Sequence, residues 1–158
     1  MDGKDFPLAA GSANITLVVR RTIYARPEVL FAAWTQPGHL KRWWGPRPVR
    51  CVDAQVDLRA GGSYRIANQF PDGTLLWIVG EFEVVDPPCK LVYSWRVGSE
   101  PHPPERVTVQ FEPQGDATEV TVVHERILNA AIRDQHEAGW NGCLDGLANY
   151  LSPDASNA

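Results

Sequence analysis

From residue 48 to residue 127 the apolar residues recur at every second position, in six short runs, and the segments on either side follow the helical period. A period of two sends alternate side chains to opposite faces of a strand, whereas a period near 3.6 lines one face of a helix. The breaks between the runs are "AGG", "PDG", "DPP", "GSEPHPP" and "QGDA", each carrying Gly, Pro or Asp. Such links are too short for the crossover that parallel neighbours need, so consecutive runs pair antiparallel.

The strands expected are 15–23, 48–57, 62–70, 75–85, 90–97, 105–113 and 118–127. Two short helices lie between the first two. "RPEVLFAAW" (26–34) has Pro27 at its first helical position, and "GHLKRWW" follows the Pro37-Gly38 break and stops at "GPRP". At 131–151 the period is helical again, with Ile132, His136, Trp140, Leu144, Leu147 and Leu151 in one stripe. The economical architecture is α+β: a curved seven-stranded antiparallel sheet with the long C-terminal helix across its concave face. Residues 1–13 read as a flexible arm, 14–151 as a single domain and 152–158 as a flexible tail.

Composition narrows the function. A formal charge of −4 with no Lys/Arg-rich stripe argues against a nucleic-acid surface. No apolar run approaches the roughly 20 residues of a membrane span, and the first residues do not read as a signal peptide. The three cysteines, Cys51, Cys89 and Cys143, form no CxxC pair, which argues against a disulfide framework and for a reducing, cytoplasmic setting.

Alternation names the inward set: Tyr64, Ile66, Asn68 and Phe70; Leu76, Ile78, Phe82 and Val84; Leu91, Tyr93, Trp95 and Val97; Val107, Val109 and Phe111; Val120, Val122 and His124. Gly80, mid-strand, marks a bend or a close neighbour. Several inward residues have polar tips, and a buried polar group without a partner costs about 1–3 kcal/mol. They imply internal partners and water, or a cavity whose ligand supplies them. Gly139, Gly142 and Gly146 align on one flank of the last helix around Cys143, either for close packing or to line that cavity. The short helices close one end of the groove. There Trp43 and Trp44 either plug the sheet, or divide between the core and the cavity mouth. The expected cavity therefore contains Trp34, Trp43, Trp44, Tyr64, Ile66, Asn68, Phe82, Tyr93, Trp95, Phe111, His124, Gly139, Trp140, Cys143 and Gly146.

His124 is the candidate acid–base residue, although no carboxylate in the sequence pattern orients it. His136, with Asp134 and Glu137 nearby, lacks the three or four ligands of a metal site, so neither metal nor cofactor is expected. His39 and His102 lie in Pro/Gly-rich loops and are expected in solvent. Trp77 points outward beside Leu75 and Val79, as a homodimer face or an incidental cluster.

The runs "RTIYARPEVLFAAWTQPGHLKRWWGP" (21–46), "GGSYRI" (61–66), "GEFEVVDPPCKLVYSW" (80–95), "TEVTVVHERI" (118–127) and "HEAGWNGCLDGLANYL" (136–151) resemble the Hsp90-ATPase-activator homologue (AHSA1-like) branch of the START/Bet v 1-like (SRPBCC) superfamily. The resemblance implies a helix-grip fold with a deep apolar cavity. Members of that superfamily bind lipids, sterols or polyketides, or catalyse cyclisation. The expected function is binding of a small hydrophobic or aromatic molecule. A cyclase- or hydrolase-type enzyme using His124 with Tyr64 or Tyr93, and an Hsp90-type chaperone interaction module, are the alternatives.

Overall fold

A computed structural model describes residues 14–98 and 103–152. The expected arm at 1–13, His102 and the tail beyond Ser152 lie outside the described residues. In chain order the elements are β1 (Ile15–Ile23), α1 (Pro27–Thr35), α2 (Pro37–Trp43), β2 (Arg50–Val56), β3 (Ser63–Gln69), β4 (Leu75–Asp86), β5 (Lys90–Val97), β6 (Glu105–Gln114), β7 (Ala117–Ile127) and α3 (Ala130–Leu151). The strands form one seven-stranded sheet, ordered β1-β7-β6-β5-β4-β3-β2, with every neighbouring pair antiparallel. This is the α+β architecture expected from the alternation.

Local chemistry sets the helix limits. Pro27 and Pro37 each sit in a first helical turn, where the missing N–H is no loss. The residue before a proline avoids helical backbone, and Gln36 is extended (φ −93°, ψ 126°), so it ends α1 and starts α2. At the start of α3 the Asn129 side chain accepts the Ile132 N–H at 2.9 Å, which caps the helix. β1 and β2 are the two sheet edges, so the α1–α2 segment runs from one edge to the other.

Three departures from strict alternation have physical causes. Between Phe82 and Val84 the β4–β5 register shifts, the mark of a β-bulge, and beyond it Val84 turns outward while Val85 packs on the core. A similar shift between Cys51 and Asp53 leaves Val52 exposed. Phe70, expected inside, lies beyond the end of β3, where its N–H bonds Thr74 O across the turn, and its ring is exposed. Gly80 has the close neighbour its position suggested: a Cβ there would lie 1.9 Å from Ser94 O. Trp77 is half-buried on the outer face, with the Arg65 guanidinium 4.3 Å from its ring centroid.

The glycines of α3 do not share one role. A Cβ on Gly142 would meet Pro46 Cβ at 2.6 Å, and one on Gly146 would meet Trp43 O at 2.9 Å. These two let α3 rest directly on the α2–β2 connection. Gly139 has nothing within 4 Å. Gly139→Ala should therefore stabilise the protein by about 1 kcal/mol through helix propensity. Gly142→Ala should destabilise it by about 1–3 kcal/mol through overpacking against the rigid Pro46 ring. Urea denaturation of the two variants measures both signs.

Candidate functional site

The space between α3 and the sheet is filled chiefly by indoles. Trp34 of α1 stacks on Trp140 of α3 (6.0 Å between centroids, 18°) and meets Trp43 at 5.1 Å and Trp44 at 6.3 Å. Trp44 in turn meets Trp140 edge-on at 5.5 Å and Trp95 at 6.2 Å. Both adjacent tryptophans are buried, because Trp44 leaves the helix in extended backbone (φ −69°, ψ 139°) and its ring turns inward beside Trp43. Trp43 donates its N–H to Ala33 O at 2.8 Å.

What remains inside is a cavity of about 20 Å³, room for about one water. Of the residues expected around it, Trp34, Trp44, Tyr64, Ile66, Phe82, Tyr93 and Trp95 line it, joined by Leu40 and Val56. Trp43, Asn68, Phe111, His124, Trp140 and Cys143 are buried outside its lining. Gly139 and Gly146 do not line it either, Gly146 being packed on Trp43. Most polar tips find partners in the protein: Tyr64 donates to Ser94 O at 2.7 Å, and the Trp34 N–H donates to the Tyr93 hydroxyl at 3.2 Å. Burial pushes both tyrosine pKa values up, so both stay as neutral hydroxyls. Trp44 Nε1, Trp95 Nε1 and Asn68 Oδ1 have no partner.

A larger cleft of about 250 Å³ opens beside the first turns of α3. Its apolar walls are Trp95, Val97, Pro103 and Ile132, and its polar groups are Arg96, Glu105, Gln135 and His136. Trp95 is the wall it shares with the inner cavity. At its edge Glu105 Oε1 lies 2.7 Å from His124 Nε2 and 2.9 Å from His136 Nε2. The two imidazoles stack at 4.2 Å, and Trp140 donates its indole N–H to His124 Nδ1 at 3.0 Å.

This cluster corrects two expectations. A carboxylate does orient His124: Glu105 precedes inward Val107 by two residues, and Val107 pairs with His124 across β6–β7. His124 is 0% exposed, and both its ring nitrogens are bonded within the protein. Tyr64 bonds Ser94 O, Tyr93 the Trp34 N–H and His124 the Glu105 carboxylate, so neither tyrosine is bonded to His124. Elsewhere, His39 is half-buried and its Nδ1 pairs with the Tyr150 hydroxyl at 2.6 Å, rather than lying in solvent. Sequence reading passed over Glu105 because its partners come from β7 and α3. The usable signal was the β6–β7 register, with His136 one helical turn before Trp140.

Glu105, His124 and His136 place three metal-capable atoms within 4.8 Å of one another, which the sequence pattern did not reveal. The bonding does not suit an ion. To ligate through Nε2, neutral His124 would carry its proton on Nδ1, where it would confront the donating Trp140 N–H. The cluster is a hydrogen-bonded chain.

A family model described as Activator of Hsp90 ATPase homolog 1-like protein matches residues 24–152. The chain belongs to this family. Among solved structures, a Chromobacterium violaceum protein shares 25% identity with this AHSA1-like chain at a TM-score of 0.80, covering 87% of it and 97% of the other. An AHSA1 protein of Silicibacter pomeroyi has the same fold at 24% identity, with a TM-score of 0.78 over 87% and 97% of the two chains. A Plasmodium falciparum protein described as an HSP90 activator is 29% identical over 72% of this chain and 74% of its own, at a TM-score of 0.56. Comparison with curated proteins finds no match. These relations agree with the START/Bet v 1-like helix-grip fold. Among the described residues no helix is long and apolar enough to cross a membrane.

Two outcomes test this description of the AHSA1-like core. Burial raises the Cys51 pKa to about 11 and the Cys143 pKa to about 12, whereas Cys89 is exposed. An aromatic disulfide reagent should titrate one thiol in the native protein and all three in denaturant. The second outcome concerns acid. Burial alone would raise the Glu105 pKa, but the bonds from both histidines and their proximity together bring it down to about 2. Burial lowers the His124 pKa against the pull of Glu105. Groups held below their unfolded pKa lend stability above that value and lose it as the pH falls through the folded one. The melting temperature should thus fall with acidification, beginning near pH 6.5 for His124 and continuing from 4.5 to about 2 for Glu105. Glu105→Gln should remove the lower part of that slope and cost about 2–3 kcal/mol at neutral pH.

Proposed function

We propose that this AHSA1-like domain binds, without catalysis, a small hydrophobic or aromatic molecule between the sheet and α3. The observation that carries this reading is the 250 Å³ cleft, lined by apolar Trp95, Val97, Pro103 and Ile132 and by polar Arg96, Glu105, Gln135 and His136. Concave apolar space with sparse polar groups is the usual form of a small-molecule site. Entry starts at the cleft, because the inner cavity of about 20 Å³ admits only a water unless the indoles part. The free thiols fit a reducing compartment such as the cytoplasm.

Native mass spectrometry of the purified chain against lipid and aromatic panels tests the proposal. At least one compound should be retained, and Ile132→Trp, which fills the cleft, should weaken retention about tenfold. A panel that leaves no compound bound overturns it.

A second reading rests on the HSP90 activator from Plasmodium falciparum at 29% identity. On that reading the outer surface engages an Hsp90-type chaperone. Added to such a chaperone, the protein would raise ATP turnover, and an unchanged rate removes the idea.

A further inference from the structure

The proton positions around Glu105 follow from one donor that has no alternative. An indole N–H can only donate, so His124 Nδ1, 3.0 Å from Trp140 Nε1, presents a lone pair. The single proton of neutral His124 therefore sits on Nε2 and points at Glu105 Oε1, 2.7 Å away. The Glu105 carboxylate can only accept, so His136 Nε2, 2.9 Å from the same oxygen, must donate as well. Neutral His136 then carries its lone pair on Nδ1.

That atom and Glu105 Oε2 are the members of the chain without a bonded partner among the described residues, and of the two only Nδ1 belongs to α3. It bonds no described residue, unlike either nitrogen of His124. The His136 side chain is 17% exposed and lines the cleft. His136 lines the cleft, between the Trp95 wall, 6.1 Å away edge-on, and the α3 residues Ile132 and Gln135. Hydrogen bonds in a chain polarise one another, and a carboxylate accepting at one ring nitrogen strengthens the other as an acceptor. The cleft thus offers a fixed, carboxylate-backed acceptor beside an aromatic wall.

Resting on the ligand-binding reading above, we propose that the ligand is an aromatic molecule bearing a phenolic or enolic hydroxyl, whose O–H donates to His136 Nδ1 while its ring lies against Trp95. His136, and not His124, is the recognition residue. The titratable and charged groups near it are Glu105 and His124, Arg96 from β5, and Arg133 and Glu137 from its own helix. Arg133 is bonded to Glu137 at 3.0 Å.

The test uses 2-naphthol and 2-methoxynaphthalene, in which a methyl replaces the hydroxyl proton and so removes the donor, titrated into the full chain at neutral pH. The naphthol should bind about tenfold more tightly, the worth of one good hydrogen bond, and His136→Phe should bring the two affinities level. Equal affinities for the unaltered protein, or a preference that survives His136→Phe, overturn the proposal while leaving the binding reading in place. If neither compound binds, the binding reading fails and this one falls with it. A measurement without any substitution stands beside the titration. In 15N-histidine-labelled protein, His136 should show the Nε2–H tautomer, and the naphthol alone should shift its Nδ1 resonance. An Nδ1–H tautomer would refute the assignment.

Discussion

The rest of the structure depends on direct backbone contact between α3 and the α2–β2 connection. A curved sheet needs a body to close upon, and α3 supplies it only because Gly142 and Gly146 let Pro46 and the Trp43 carbonyl approach without intervening side chains. That seam sets the height of α3 above the strands. The height in turn suits tryptophan, so Trp34, Trp43, Trp44, Trp95 and Trp140 interlock as edges and faces at 5.1–6.3 Å. Aromatic pairs in such offset and T-shaped arrangements are favourable beyond their area alone.

Polar chemistry gathers where this wedge ends. Trp140 belongs to both regions: its face stacks on Trp34 and its N–H enters the histidine chain. The indole that packs the interior also decides where the proton of His124 resides, as the Glu105 carboxylate does for His136. The aromatic packing and the polar chain therefore share one side chain.

Most of the fold was legible because its signals are local. The change of period placed all seven strands and three helices within about two residues of their limits, and Pro27, Pro37 and Asn129 act at the ends they occupy. Val84 could not be placed, since one inserted residue on β4 reverses the parity of everything after it and leaves no mark in composition. The site was half legible. His124 stood out as an inward histidine, but Glu105 and His136 meet it only through the β6–β7 register and the seating of α3, both of which are long-range. The expected roomy cavity became a nearly filled one for the same reason: alternation tells which rings point inward, not how closely they mesh.

The glycine seam has one further consequence. With α3 seated against Pro46 and the Trp43 carbonyl at Gly142 and Gly146, and Asp145 bonded to Arg21 at 2.7 Å, the C-terminal half of the helix is held by backbone contact and an ion pair. The N-terminal half is held by side chains instead, through the His136–Glu105 bond at 2.9 Å and the stacking of His136 on His124. Substitutions at Ile132 or Gln135 would therefore reshape the cleft without disturbing the seam.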